Sequence, residues 1–458
     1  MTISLRSIHP RRLSSLMAAL LLSVPTLSAL PPVDDDNEPI SDDEEQQMLS
    51  SGVTDTSSDE DDIDIPIPSF IKTSANHITF NGSDWSALRN AVAGASSRPV
   101  SIIHIGDSHI QADFSSATTR QLLQYDYGDA GRGLVAPLKM SGTNQPSDYT
   151  FQSQGSWTPA KLMNSSWRHT MGFTGTSIRP VTSSSSLTIA TSGRDDYNPF
   201  NSLTLFHNGK LNVKNVKGED GSLLNVRVIP SRDYTQIILP DAQTSVSIDF
   251  ASAGDLTVYG ASLSGDRPGL FYHAIGNNGA TYETYNRIGN VGAGIAPLNP
   301  SLVIISLGTN EAFGRLDQAS FVNSIDRLVK NIRSANPEAI VMLTTPMECH
   351  RSVTSTRKVK VRSKGRNGRK GKLRTVTRTS RTYTVNNNIA PLRTTILDYA
   401  RRNSLPVWDW YEVAGGKGAS TQWISNNLFA GDRVHHTIRG YNLEGRLLYD
   451  ALAEALRQ

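Results

Sequence analysis

Residues 100–109 read VSIIHIGDSH, and this stretch decides the first reading of the fold. Residues 100–105 are almost unbroken apolar and rich in isoleucine, the pattern of a strand covered on both faces in a parallel sheet. Gly106 then lets the chain turn sharply, and residues 111–125 read as a helix. Strand, tight glycine turn and helix open an α/β unit. Ser108 falls between strand and helix, where helix N-terminal amides favour developing negative charge. A serine nucleophile needs such a site and a neighbouring base. On its own, Gly106-Asp107-Ser108 reads first as an ordinary helix cap, and the nucleophile reading needs further motifs.

Working outward, the alternation recurs on both sides. Residues 84–95 read as a helix with Ser83 as N-cap. After position 266 the α/β pattern resumes near Phe271, and residues 302–307 (LVIISL) are a buried-type strand. Phe321, Ile325, Leu328 and Ile332 mark a helix over 320–334. A strand over 340–345, a helix over 391–403, a short strand over 407–410 and a closing amphipathic helix over 441–456 follow. The predicted class is α/β, a parallel sheet flanked by helices, built from 70–140 and 266–458. Between them, 141–265 is rich in Ser, Thr, Gly and Asn, with short β-prone runs at 186–190, 202–207, 224–229, 236–239, 245–250 and 256–259. That spacing predicts an inserted β-sandwich or jelly roll. Its Trp157, Trp167 and Tyr197 are candidate sugar-stacking residues, or simply core.

Charge is unevenly distributed behind a formal net of +3. Arg6, Arg11 and Arg12, then apolar residues 16–27, then Ser28 and Ala29 read as a secretory signal over 1–29. The apolar run falls short of the roughly 20 residues of a membrane span, so no transmembrane span is expected after signal removal. No Lys or Arg lies between Arg12 and Lys72, while acidic clusters recur at 34–36, 42–45 and 59–62. Such a stretch repels itself and cannot form a core, so 30–69 is read as a disordered acidic linker, with calcium binding as the sharper alternative. A secreted or periplasmic location is expected. Conversely, 13 Lys or Arg and no acid lie within 351–381. Strand-like flanks around a Gly-rich tip predict a long basic β-hairpin over 351–384, with an anionic envelope surface as its candidate partner. It has one aromatic, Tyr383, which argues against nucleic acid. The lone Cys349 excludes an internal disulfide and a thiolate metal site, and reads as a small buried hydrophobe.

Three further clusters could serve Ser108. Asp432-Arg433-Val434-His435 precedes the last helix; a histidine can take the serine proton and a carboxylate can fix its tautomer. His436 is the alternative base. Asn310, in Gly308-Thr309-Asn310-Glu311, offers an uncharged amide donor. Residues 276–280 (GNNGA) offer backbone that substrate can approach closely. His104 is expected to be a satisfied core histidine, His109 structural, and Asp107 a ligand of turn amides. A metal on His435, His436 and Asp432 would lack a further ligand at that spacing, so neither metal nor cofactor is expected.

The order Gly-Asp-Ser, Gly, Gly-Thr-Asn-Glu and Asp-x-x-His resembles the four blocks of the SGNH (GDSL-like) hydrolases. That resemblance implies Ser108 as nucleophile, His435 as base and Asp432 as its orienting partner. The Ser108 and Gly279 amides and the Asn310 side chain would form the oxyanion hole. Two departures, His109 where the common form has Leu and Glu311 where many members have Asp, are similar to the bacterial peptidoglycan O-acetylesterases. So are residues 308–313 (GTNEAF), residues 128–137 (GDAGRGLVAP) and a carbohydrate-binding-like β-domain between the first and second blocks. The resemblance implies a secreted serine esterase that removes O-acetyl groups from cell-wall peptidoglycan. Its alternatives are an esterase on another acetylated glycan and a catalytically silent glycan-binding protein.

Overall fold

A computed structural model describes residues 66–192, 199–252, 254–364 and 370–458. The expected signal, nearly all of the acidic linker, Tyr197 and most of the hairpin tip lie outside the described residues.

The α/β part is built on a six-stranded sheet. Its order is Ile78–Thr79, Val407–Trp408, Ile340–Thr344, Pro300–Ser306, Val100–Gly106 and Leu270–Gly276. All neighbours run parallel except the two-residue edge strand Ile78–Thr79, which pairs antiparallel with Val407–Trp408. Every residue of Val100–Gly106 is buried, the pattern of a central strand covered on both faces. The chain leaves it for Leu270–Gly276 on one side and then crosses to Pro300–Ser306 on the other. Val100–Gly106 is therefore the topological switch point, and a crevice opens beyond its carboxyl end, where Ser108 lies. His104, in the middle of the strand, has both ring nitrogens engaged: Nδ1 with the Tyr272 hydroxyl (2.7 Å) and Nε2 with Ser306 Oγ (2.6 Å). Burial pulls its pKa down to about 3, as befits a core histidine.

Two helix expectations are corrected. The helix expected over 111–125 is broken into Ser108–Gln111 and Phe114–Tyr127. Asp113 sits at the break in the left-handed region, φ 59°. There its buried carboxylate accepts from Ser116 Oγ (2.5 Å), Arg120 (3.0 and 3.2 Å) and Arg132 Nη2 (2.7 Å). Satisfying a buried charge outweighs continuous helix at that residue type, which tolerates positive φ. The first helix begins at Ser86 rather than 84, and Ser83 does not cap it. Instead Asp84 Oδ1 accepts from Ser86 N (2.8 Å) and Oγ (2.6 Å).

Between the two halves of the α/β part lie two antiparallel sheets, of seven and four strands. In Ser245–Ser252 burial alternates, with Val246, Ile248 and Phe250 inward. These meet Leu187, Ile189, Leu203 and Leu205 in a separate apolar core, so the insert is a β-sandwich. Its larger sheet extends beyond the 141–265 interval, since Gly133–Val135 pairs with Thr257–Ser264. Trp157 packs edge-on against Phe250, and Trp167 lies under the Arg287 guanidinium at 4.6 Å. The basic segment forms a two-stranded antiparallel ribbon, His350–Lys364 against Lys370–Val385. Cys349 is buried, and burial raises its thiol pKa. Among the described residues, no helix is long and apolar enough to cross a membrane.

Candidate active site

The turn after the central strand is shaped by what surrounds it. A Cβ on Gly106 would lie 2.3 Å from Ile110 Cγ1, and one on Gly276 would lie 2.0 Å from the Gln111 nitrogen. Both strand ends must be glycine for the Ser108–Gln111 turn to pack down on the sheet. Asp107 caps that turn. Its backbone carbonyl accepts from the Ile110 and Gln111 amides, and its Oδ1 accepts from His109 N at 3.0 Å. Ser108 is thereby held at the turn's first position.

His435 reaches it from the other end of the chain. Ser108 Oγ lies 2.7 Å from His435 Nε2, and His435 Nδ1 lies 2.5 Å from Asp432 Oδ2. Asp432 Oδ1 in turn accepts from the Val434 and His435 amides at 3.0 and 3.1 Å. This carboxylate orients the ring and closes its own loop, a tight turn in which Arg433 adopts φ 61°. Burial pushes the Asp432 pKa up. The His435 charge, its hydrogen bond and the two amides outweigh that and hold it below the usual carboxylate value. A serine hydroxyl, an imidazole and a carboxylate in this relay can generate an alkoxide nucleophile without a metal. Among the described residues, no group of three or more His, Cys, Asp or Glu converges as a metal site.

His436, the alternative base, turns the other way. It is buried, with Nε2 at 3.1 Å from Met347 Sδ and its ring against Trp423 and Tyr441. Burial lowers its pKa to about 3, and burial raises that of Glu444 to about 8. The 3.4 Å approach of His436 Nδ1 to Glu444 Oε2 is therefore a contact between neutral groups near pH 7. His109 lies between the two histidines, its ring 5.2 Å from each, with Nδ1 3.3 Å from the Tyr441 hydroxyl. Burial keeps it neutral.

The oxyanion-hole candidates fall into two groups. The Ser108 and Gly279 amides donate to no acceptor among the described residues, and Gly279 has φ +74°. Asn310 is already engaged: Nδ2 donates to Asp107 Oδ2 at 3.2 Å and to the Ala280 carbonyl at 3.0 Å. Both of its amide hydrogens are used. Its neighbour Glu311 is half-buried and accepts from Tyr282 N at 2.8 Å, and desolvation of its carboxyl pushes the pKa up to about 7.

Sequence reasoning missed a cluster beside this hole. Gln111 Oε1 accepts from the Asn278 amide at 2.7 Å, while Gln111 Nε2 donates to Thr143 Oγ1 (2.8 Å) and to the Asn144 carbonyl (2.9 Å). Asn278 Nδ2 donates to Asn144 Oδ1 at 2.7 Å. By tying down the amide just before Gly279, Gln111 sets the direction of the Gly279 N–H. Nothing in the spacing of residues 111, 144 and 278 announces this, because a glutamine at the start of a helix is unremarkable.

Residues 250–443 match the profile of the GDSL-like Lipase/Acylhydrolase family. Comparison with curated proteins gives no match. Among solved structures, a peptidoglycan O-acetylesterase aligns over 83% of this chain and 99% of its own, at 22% identity and TM-score 0.64. A lipase/acylhydrolase from Enterococcus faecalis aligns over 41% of this chain and 78% of its own, at 19% identity and TM-score 0.27. A family two carbohydrate esterase from Clostridium thermocellum aligns over 66% and 99%, at 11% identity and TM-score 0.29. The last two scores are too low to bear on the fold, whereas the first spans both the α/β part and the inserted sandwich. With the acylhydrolase profile running from the end of the insert into the last helix, the chain is a carboxylic-ester hydrolase, similar over residues 250–443 to the GDSL-like acylhydrolases and similar in fold to a peptidoglycan O-acetylesterase.

Proposed function

We propose that this hydrolase removes O-acetyl groups from a polysaccharide, cell-wall peptidoglycan, by nucleophilic catalysis through an acetyl-enzyme. The observation that carries the mechanism is the unbroken Asp432–His435–Ser108 chain of 2.5 and 2.7 Å. Ser108 Oγ attacks the acetyl carbonyl as His435 Nε2 takes its proton, and Asp432 stabilises the imidazolium. The tetrahedral oxyanion is met by the Ser108 and Gly279 amides. Asn310 joins them by releasing its longer bond, the 3.2 Å contact with Asp107. His435 returns the proton to the departing sugar oxygen, which leaves acetyl-Ser108. A water molecule, activated by the same imidazole, then releases acetate and restores the serine.

The substrate reading is supported by the fold likeness to a peptidoglycan O-acetylesterase, which extends through the inserted sandwich. A wall substrate also accords with the export signal expected over 1–29 and with a secreted or periplasmic site of action. The test is acetate release by purified protein from O-acetylated peptidoglycan and from acetyl-xylan, with Ser108→Ala as control. Faster release from peptidoglycan, abolished in Ser108→Ala, is expected. Equal or faster release from acetyl-xylan would move the substrate to another acetylated glycan.

A further inference from the structure

The ribbon His350–Lys364 and Lys370–Val385 is out of proportion to anything the sheet needs. At a rise of about 3.3 Å per residue its longer arm spans roughly 50 Å. In an antiparallel pair, directly opposed residues share a face, and successive residues alternate faces. The register therefore puts Arg357, Arg374 and Arg378 on one face and Lys358, Lys360, Arg362 and Arg381 on the other. All seven side chains are exposed, and none forms an ion pair with an acidic group among the described residues. Arg357 stands directly opposite Arg378, an arrangement that destabilises an isolated ribbon. A fold indifferent to this charge would have no reason to retain it.

Where the ribbon is rooted gives it a direction. His350 N donates to the Arg433 carbonyl at 3.0 Å, and the Arg433 guanidinium lies 4.5 Å over the Tyr383 ring. Arg351 Nη2 donates to the Phe313 carbonyl at 3.2 Å, and Asn386 Nδ2 to the Ala312 carbonyl at 3.1 Å. Its base is thus fastened to the Asp432–His435 loop and to the segment that follows Asn310. Whatever lies along the ribbon is delivered to the rim of the site.

We propose that the ribbon is a docking arm for a carboxylate-bearing wall polysaccharide, the polymer whose acetyl esters the site hydrolyses. This rests on the esterase reading above. Cations on both faces suit a partner that surrounds the arm, as strands of a polymer network do. A flat anionic bilayer would engage one face and leave the other charged and unpaired. Nucleic acid is disfavoured because Tyr383, the aromatic that could stack on a base, is already covered by Arg433.

The test uses the full chain with Arg357, Lys358, Lys360, Arg362, Arg374, Arg378 and Arg381 all changed to Gln, none of which touches the triad. Cosedimentation is measured with chemically de-O-acetylated sacculi and with phosphatidylcholine vesicles containing phosphatidylglycerol. Wild type should bind sacculi at low salt and lose at least about tenfold in affinity near 1 M salt, where the Debye length is about 3 Å. The substituted chain should bind at least about tenfold more weakly at low salt, with a matching rise in KM for acetate release from insoluble sacculi. Its kcat/KM on a small soluble acetyl ester should be unchanged. Equal sedimentation of the two chains overturns the proposal, as does tighter binding of wild type to vesicles than to sacculi. Loss of small-ester turnover in a folded substituted chain also overturns it, by making the ribbon part of the reaction site. Because the sacculi carry no ester, binding is scored independently of turnover. A wild type that binds them but releases no acetate from acetylated sacculi would sink the esterase reading and leave a glycan-docking arm.

Discussion

Replacing Asp432 by Asn probes the relay at its buried carboxylate. The amide oxygen can keep the bonds now made by Asp432 Oδ1 with the Val434 and His435 amides, so the loop should hold its shape. Opposite His435 Nδ1, however, an NH2 donor replaces the Oδ2 acceptor 2.5 Å away. The imidazole must then carry its proton on Nε2, the nitrogen 2.7 Å from Ser108 Oγ, where it can no longer accept. The variant also loses the charge facing the imidazolium. Two unit charges about 4 Å apart at an effective dielectric of about 20 interact by about 4 kcal/mol. At about 1.4 kcal/mol per tenfold, that corresponds to a fall of about 10³ in kcat. The assay is initial-rate hydrolysis of a soluble acetyl ester at pH 7.5, with circular dichroism and a melting curve to certify the fold. A folded Asp432→Asn protein within about tenfold of wild-type kcat would refute the orienting role. Acid behaviour gives an independent check. Because the Asp432 pKa is depressed in the folded state, its stabilisation is present above the unfolded carboxylate value of 3.8 and is lost as pH falls through the lower folded value. In the Asn variant that component of acid destabilisation should vanish.

The remaining predictions concern neighbouring groups. His435→Ala should abolish turnover, whereas His436→Ala should lower Tm, by losing its contacts with Trp423 and Tyr441, and leave kcat within about tenfold; the reverse outcome would exchange the two residues' roles. Asn310→Ala should lower kcat by about 10²–10³ with little change in KM. A pure KM effect would make Asn310 a ground-state contact. Burial raises the Glu444 pKa from 4.5 to about 8, so the folded protein holds a proton that the unfolded chain has released. Stability is then lost as pH rises from 4.5 to about 8. Glu444→Gln should raise Tm at pH 8 and give no gain below pH 4.5; a gain independent of pH would show that titration is not its source.

Much of the α/β part was legible because its signals are local. Residues 100–105 and 302–307 are predominantly apolar, as strands covered on both faces tend to be, and Phe321, Ile325, Leu328 and Ile332 repeat at helical spacing. The closeness of Ser108, Asp432 and His435 in space could be guessed only from family resemblance, since they come from opposite ends of the chain. The helix break at Asp113 was not legible, because its cause is a pair of arginines at positions 120 and 132 that reach the carboxylate through the fold. Several sandwich strands, such as Trp157–Lys161 and Leu211–Lys217, escaped notice because they bury few residues and carry polar ones between. The engagement of Asn310 by Asp107 and Ala280, and the Gln111 tether on Asn278, belong to tertiary structure alone.

The claim on which everything else depends is that Ser108 Oγ carries the acyl group between the two half-reactions. Reaction with an activated acetyl ester, acid quenching in the first turnovers, and mass analysis of the digested protein measure this directly. One added acetyl group should appear on the peptide containing Ser108. It should be absent in Ser108→Ala, and in His435→Ala it should form far more slowly. An acetyl group on any other residue, or full turnover by Ser108→Ala with no acylated intermediate, would contradict the account.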